Sequence, residues 1–113
     1  GGGGGGGGGN QGLIMCELAL ALVPSLDETA TNLLYRAIKP MVTVDDDPAL
    51  QKRCYKVLYA VCQHHSEFAL EESRLQELLE LLTGSLLTCH VSSRQMRLRC
   101  LDCLVGAFDR SNE

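Results

Sequence analysis

Residues 47–65 read DPALQKRCYKVLYAVCQHH, and the rest of the chain falls into order around them. Asp47 has the short acceptor side chain of a helix N-cap, and Pro48 follows at the first helical position, where a missing N–H costs nothing. Leu50, Cys54, Val57, Leu58 and Val61 then fall at i, i+4, i+7, i+8 and i+11, one stripe of an α-helix. Moved forward by 46 residues, the stripe returns as Met96, Cys100, Cys103, Leu104 and Ala107, with Arg99 in place of Arg53 and Ser93 in place of the capping Asp47. Moved back by 36, it returns as Ile14, Leu18, Ala21 and Leu22, with Gln11 at the cap. One helix is written three times with a second helix in each gap, which is the signature of stacked helical hairpins.

Those gaps carry their own helical signals. Pro24 stops the first helix, Ser25-Leu26 makes a short turn, and Asp27 caps a second helix with Glu28 at its positive end. Ala30, Leu33, Leu34, Ala37, Ile38 and Met41 supply its apolar face, and Pro40 ends it. After the polar break at His64–Glu67 comes a helix with Leu75, Leu78, Leu79, Leu82 and Leu86 on one face, in which Gly84 is tolerated. A loop over residues 88–93 leads to a last helix from Arg94 to about Asp109. No segment alternates with period two, so no strand is expected. The prediction is all-α: a HEAT/armadillo-like helical-repeat solenoid fragment of about five antiparallel helices, with repeats over 12–42, 47–88 and 92–113, the last incomplete.

Composition supports this reading. The chain has 113 residues, 45% of them apolar but only 4% aromatic and none of them Trp, so small side chains must do the packing. Residues 1–9 are all Gly and are expected to act as flexible linker or unassigned positions outside the repeats, which begin at residue 10. The net charge of −4 gives no global pull towards nucleic acid. Of the six Cys, Cys54, Cys62, Cys100 and Cys103 lie within predicted helices, where a thiol packs as a small apolar group. Free thiols in a reduced compartment are therefore expected, and no segment reads as a signal peptide or membrane span.

Two phrases carry a family resemblance. Pro24-Ser25-Leu26-Asp27-Glu28, Leu34-Tyr35 and Ile38-Lys39-Pro40 form the first, and Gln51-Lys52-Arg53-Cys54-Tyr55-Lys56-Val57-Leu58 the second. Together they resemble the Rrp-twelve-like family of eukaryotic HEAT-repeat ribosome-assembly factors. The match is good over about 40 residues and thins after His65, where helical spacing and the Arg97–Leu101 string remain. The resemblance implies a nuclear and nucleolar scaffold for pre-ribosomal particles of the small subunit, associated with pre-rRNA and assembly factors and linked to export of both subunits. It implies no catalytic residues.

Candidate chemistry is sparse. Cys89, His90, Cys100 and Cys103 have the right elements for zinc, yet the two last replace apolar positions of the stripe on a helix rather than sitting on a turn. Cys62 precedes His64 and His65 by separations that do not face each other on a helix, which disfavours a nucleophile pair. No phosphate loop or nucleophile elbow is present, so no enzyme activity and no cofactor or small-molecule substrate are expected. Lys52, Arg53, Lys56, Arg94, Arg97 and Arg99 could line up on adjacent helices as a basic stripe for RNA or an acidic partner, or serve as solvated flanks and an inter-repeat ladder. Glu71, Glu72, Glu77 and Glu80 make the second helix of the middle repeat acidic, suited to basic protein segments. The rival readings are an importin-like or phosphatase-scaffold adaptor in nuclear transport or signalling, and a zinc module.

Overall fold

The computed structural model describes residues 4–43, 46–84 and 89–111, with side chains described from Gly12 onward. Six α-helices and two 3₁₀ turns account for them, and no strand occurs among the described residues. Helix α1 spans Gly4–Leu22, α2 Glu28–Ile38, α3 Pro48–His64, α4 Ser66–Ala69, α5 Glu72–Gly84 and α6 Val91–Ser111. The all-α expectation holds, with the single turn α4 added to the five helices foreseen.

The cap signals act as their chemistry requires. Asp27 accepts the Ala30 N–H at 2.8 Å, and Asp47 accepts the Leu50 N–H at 3.2 Å. Ser93 does not take that role: α6 begins at Val91, so Ser93 lies inside the first turn, fully buried and without a hydrogen-bond partner for its hydroxyl. Glu71 caps α5 instead of a Ser or Asp, its carboxylate accepting the N–H groups of Ser73 and Arg74. That helix ends at Gly84; Leu86 and the start of the loop at 88 lie outside the described residues.

Contacts along the helices fix their directions. Gly12 meets Leu50 and, one turn on, the Cys16 thiol meets that of Cys54 at 3.8 Å, so α1 and α3 run parallel. Gln51 reaches His90, and the Cys100 thiol points at the Tyr55 carbonyl, so α3 and α6 run parallel as well. By contrast, Val42 lies beside Gln51 while Tyr35 approaches Cys62, so the α2 segment is antiparallel to α3. Leu82 likewise accepts from Arg97 while Leu75 and Leu79 face Leu104, so α5 is antiparallel to α6. The result is a row of three parallel helices, α1, α3 and α6, backed by α2 and α5, and it fits a helical-repeat fold.

Helix α3 is the centre of this row. Cys54, Tyr55, Val57 and Leu58 are wholly buried, and Val61 and Cys62 nearly so. On α6, Met96, Cys100, Leu104 and Ala107 are buried as the stripe requires, with Cys103 half-buried. The first copy behaves differently: Ile14, Leu18, Ala21 and Leu22 face outward, the last still 53% exposed, while Cys16, Ala19 and Leu20 pack towards α3. A helix apolar on every side gives no local preference for which face turns in, and α3 covers one of them. On α2 the buried set is Thr31, Tyr35 and Ile38, and Leu33 is exposed. Helix α1 begins at Gly4, within the glycine run.

Candidate interaction surface

The basic residues separate into three groups. Arg53 pairs with Glu17 of α1 at 3.2 Å, and the two occupy the same repeat position on neighbouring helices. This is an inter-repeat ladder rung. Arg97 turns inward: it is buried, and its Nη1 donates to the Leu82 carbonyl at 2.8 Å, satisfying a buried carbonyl in the last turn of α5. It cannot form part of a surface stripe, because its place on α6 falls between the buried Met96 and Cys100 side of the helix and the hairpin interior. Lys52, Arg94 and Arg99 are exposed and Lys56 is half-buried. Arg99 lines a shallow groove of about 420 Å³ between α3 and α6, together with Tyr59, Gln63, Asp102 and Arg110. Arg99 and Arg110 against Asp102 make that groove locally basic despite the acidic whole.

The opposite side, between α2 and α5, is a mixed-charge cleft of about 500 Å³. Its walls are tied together. Tyr35 donates its hydroxyl to Glu77 at 2.5 Å, and Lys39 pairs with the same carboxylate at 2.9 Å. The Tyr35 hydrogen bond, with help from Lys39, holds the Glu77 carboxyl below the usual carboxylate range, and burial pushes the Tyr35 phenol up. Phe68 of α4 stands edge-on to Tyr35 at 5.8 Å, and the Arg74 guanidinium lies 3.7 Å over the Phe68 ring. These charges are engaged with each other rather than aimed at an empty centre.

Gln51 is a residue that the sequence reading passed over. Its amide, 1% exposed, donates to the Val42 carbonyl at 3.2 Å and accepts the His90 N–H at 2.9 Å. One side chain thereby clips together the segments that lead into α3 and α6. A polar residue inside an otherwise apolar stripe was the signal for it.

Candidate catalytic groups are not assembled. Cys62 is buried and its thiol is pushed up to about 12 by burial, so it carries almost no thiolate. His64 is exposed, and His65 donates a ring N–H to the Val23 carbonyl at 2.5 Å, joining the end of α3 to the end of α1. Cys89, His90, Cys100 and Cys103 do not converge, and among the described residues no three His, Cys, Asp or Glu side chains gather as metal ligands. Burial of Cys100, which raises its thiol well above the ordinary range, is the mark of a packing residue. The six cysteines are free thiols. Among the described residues no helix is long and apolar enough to cross a membrane.

Most of this helical array has known relatives. The RRP12-like protein of Gallus gallus is 35% identical over 91 residues, covering 79% of this chain and 7% of that protein. The RRP12-like protein of Homo sapiens is 34% identical over 91 residues, with shares of 79% and 7%. The chain belongs to the RRP12-like family. It spans about 7% of the length of these curated relatives. No family model matches it, and no solved structure does. The RRP12-like match runs well beyond the 40 or so residues of the two phrases, so membership rests on most of the helical array.

Proposed function

We propose that this chain is a HEAT-type solenoid segment of a non-catalytic scaffold in ribosome biogenesis. It would act in the nucleus and nucleolus by holding proteins and pre-rRNA of the small-subunit precursor. The observation that carries the reading is the RRP12-like match across stacked helical hairpins. The engaged state of these polar groups supports a structural role: Gln51, Tyr35, Arg97 and His65, with the exposed Glu77, join helices to one another. What is left for partners is the outside. Lys52, Lys56, Arg94 and Arg99 offer point charges to a phosphate backbone or an acidic peptide, while Arg53 is shared with the ladder and Arg97 is withdrawn.

Affinity purification of the full-length parent, with RNA and protein identified together, tests this. Small-subunit pre-rRNA and assembly factors are the expected companions, and the double substitution Lys56→Glu, Arg99→Glu should deplete the RNA while the protein remains folded. Importins or phosphatase subunits without pre-rRNA would remove the ribosome from the reading and leave a transport or signalling adaptor.

A further inference from the structure

Helices α1 and α3 approach closely at one end. Gly12 has no side chain, and Leu50 fills the space beside it: a Cβ on Gly12 would stand 3.2 Å from the Leu50 Cδ1. One turn further along both helices the Cys16 and Cys54 sulfurs lie 3.8 Å apart, although 38 residues separate them in sequence. This contact is interior to the array. Cys16 is 5% exposed and Cys54 is wholly buried. Ile14 and Leu18, two residues on either side of Cys16, are exposed on the opposite side of α1, so a repeat packed there would leave the two thiols as they are. The other interior thiols are arranged differently. Cys100 donates to the Tyr55 carbonyl and Cys89 to the His90 carbonyl, each at 3.6 Å. Among the described residues Cys16 and Cys54 are the one pair of thiols in hydrogen-bonding contact.

We propose that Cys16 and Cys54 are an oxidation-sensitive pair, and that hydrogen peroxide converts them to a disulfide that staples one repeat to the next. The Cys16 sulfur reacts first, because Cys54 is fully enclosed and burial pushes its thiol up to about 12. Cys16 attacks one peroxide oxygen: an S–O bond forms, the O–O bond breaks, and one water leaves. The Cys54 sulfur then attacks the Cys16 sulfenic acid. The S–S bond forms, the S–O bond breaks, and the hydroxyl departs as a second water with the Cys54 proton. Two thiols are oxidised and one peroxide is reduced to two waters. Closing 3.8 Å to a covalent bond takes about 1.8 Å of movement, shared by two side chains. Cys103 is the more exposed thiol, yet no second thiol touches it, so the same attack there ends at the sulfenic acid. Without the staple, the step from α1 to α3 is held by apolar packing and the exposed Arg53–Glu17 rung. The disulfide fixes that step covalently, whichever assembly the chain joins.

The test adds hydrogen peroxide to the reduced full-length parent, blocks the remaining thiols in urea, and maps the peptides without reduction. The peptides carrying Cys16 and Cys54 should be recovered joined and lighter by two hydrogens, and dithiothreitol should separate them. Cys62 and Cys100 should be recovered as blocked thiols. In Cys54→Ser, Cys16 should stop at the sulfenic acid and be captured by dimedone; in Cys16→Ser, Cys54 should stay reduced. Oxidation should slow hydrogen exchange in α1 about tenfold or more in the wild type and leave it unchanged in Cys54→Ser. Four results overturn the proposal: both cysteines still thiols after peroxide, Cys16 carried to the sulfinic acid with Cys54 reduced, Cys16 joined to a different cysteine, or a Cys16–Cys54 link that forms only once urea has unfolded the protein. The wild-type map decides this by itself, so a Cys54→Ser variant that fails to fold does not shelter the proposal.

Discussion

The Tyr35 hydroxyl and the Glu77 carboxylate meet at 2.5 Å across 42 residues of sequence, and they join the backing helices α2 and α5. Lys39 closes the same carboxylate from one turn further along α2. Local periodicity cannot foresee this seam, since Glu77 is an exposed residue of its own helix and its partner Tyr35 lies on another. Its consequence is measurable through pH. The folded state holds the Glu77 carboxyl below its ordinary value of about 4.3, so this contribution to stability is complete above that value and is lost as pH falls through the lower, folded pKa. Tyr35→Phe removes the larger cause of that depression and should cost about 1 kcal/mol at neutral pH, the group being partly solvated. Urea midpoints at pH 7 and pH 3 check it: the gap between wild type and Tyr35→Phe should shrink in acid. An undiminished gap would assign the cost to packing against Phe68 alone.

Gln51 makes a sharper prediction, because both ends of its buried amide are used. Gln51→Leu keeps the volume and strands the Val42 carbonyl and the His90 N–H, at about 1–3 kcal/mol per unsatisfied group. Gln51→Glu keeps an acceptor for His90 but places a carboxylate against the Val42 carbonyl, and should destabilise comparably. Chemical denaturation should show both losses. Hydrogen exchange should show faster opening at the starts of α3 and α6, where the clip sits, than at the end of α3.

Arg97 and Arg99 lie two residues apart and should give opposite phenotypes. Arg97→Ala leaves the Leu82 carbonyl uncapped in a buried setting and should cost about 1.5–3 kcal/mol. Arg99→Ala, at an exposed position, should stay within about 0.5 kcal/mol. Thermal melts distinguish them directly. Equal, small effects would mean that Arg97 does not cap α5 in solution.

That pair also marks what the sequence could and could not say. The α3 and α6 stripes and the Asp27 and Asp47 caps were legible because each depends on residues within one or two turns. The same stripe, applied strictly, places Arg97 beside Met96 and Cys100 and Leu98 on the outside, so the inward Arg was readable in principle. Ala and Leu on all sides of α1 left its orientation open, and only the Cys54 and Leu50 surface of α3 decides it. The six basic residues are unequal for a related reason: linear spacing counts charges without saying which are engaged by Glu17 or by a helix end. The α2–α5 seam was out of reach, being a contact between side chains 42 residues apart, and the stripe could flag Gln51 as polar without naming Val42 and His90 as its backbone partners.

The cysteines give the last prediction. Burial pushes the thiols of Cys54 and Cys62 up to about 12 and raises that of Cys100 further, while Cys103 is half-buried at the edge of the α3–α6 groove. At pH 8 a thiol with a pKa near 12 is about one part in ten thousand thiolate, and the thiolate is the reacting species. Iodoacetamide with peptide mapping should therefore modify Cys103 first and leave Cys54, Cys62 and Cys100 untouched until the chain is unfolded in urea. Raising the pH to 9 should speed Cys103 and still spare the other three, since their protection is packing as well as protonation. If Cys62 reacts as fast as Cys103 in the native chain, the contact between α3 and α6 opens readily and the parallel row is not a fixed core.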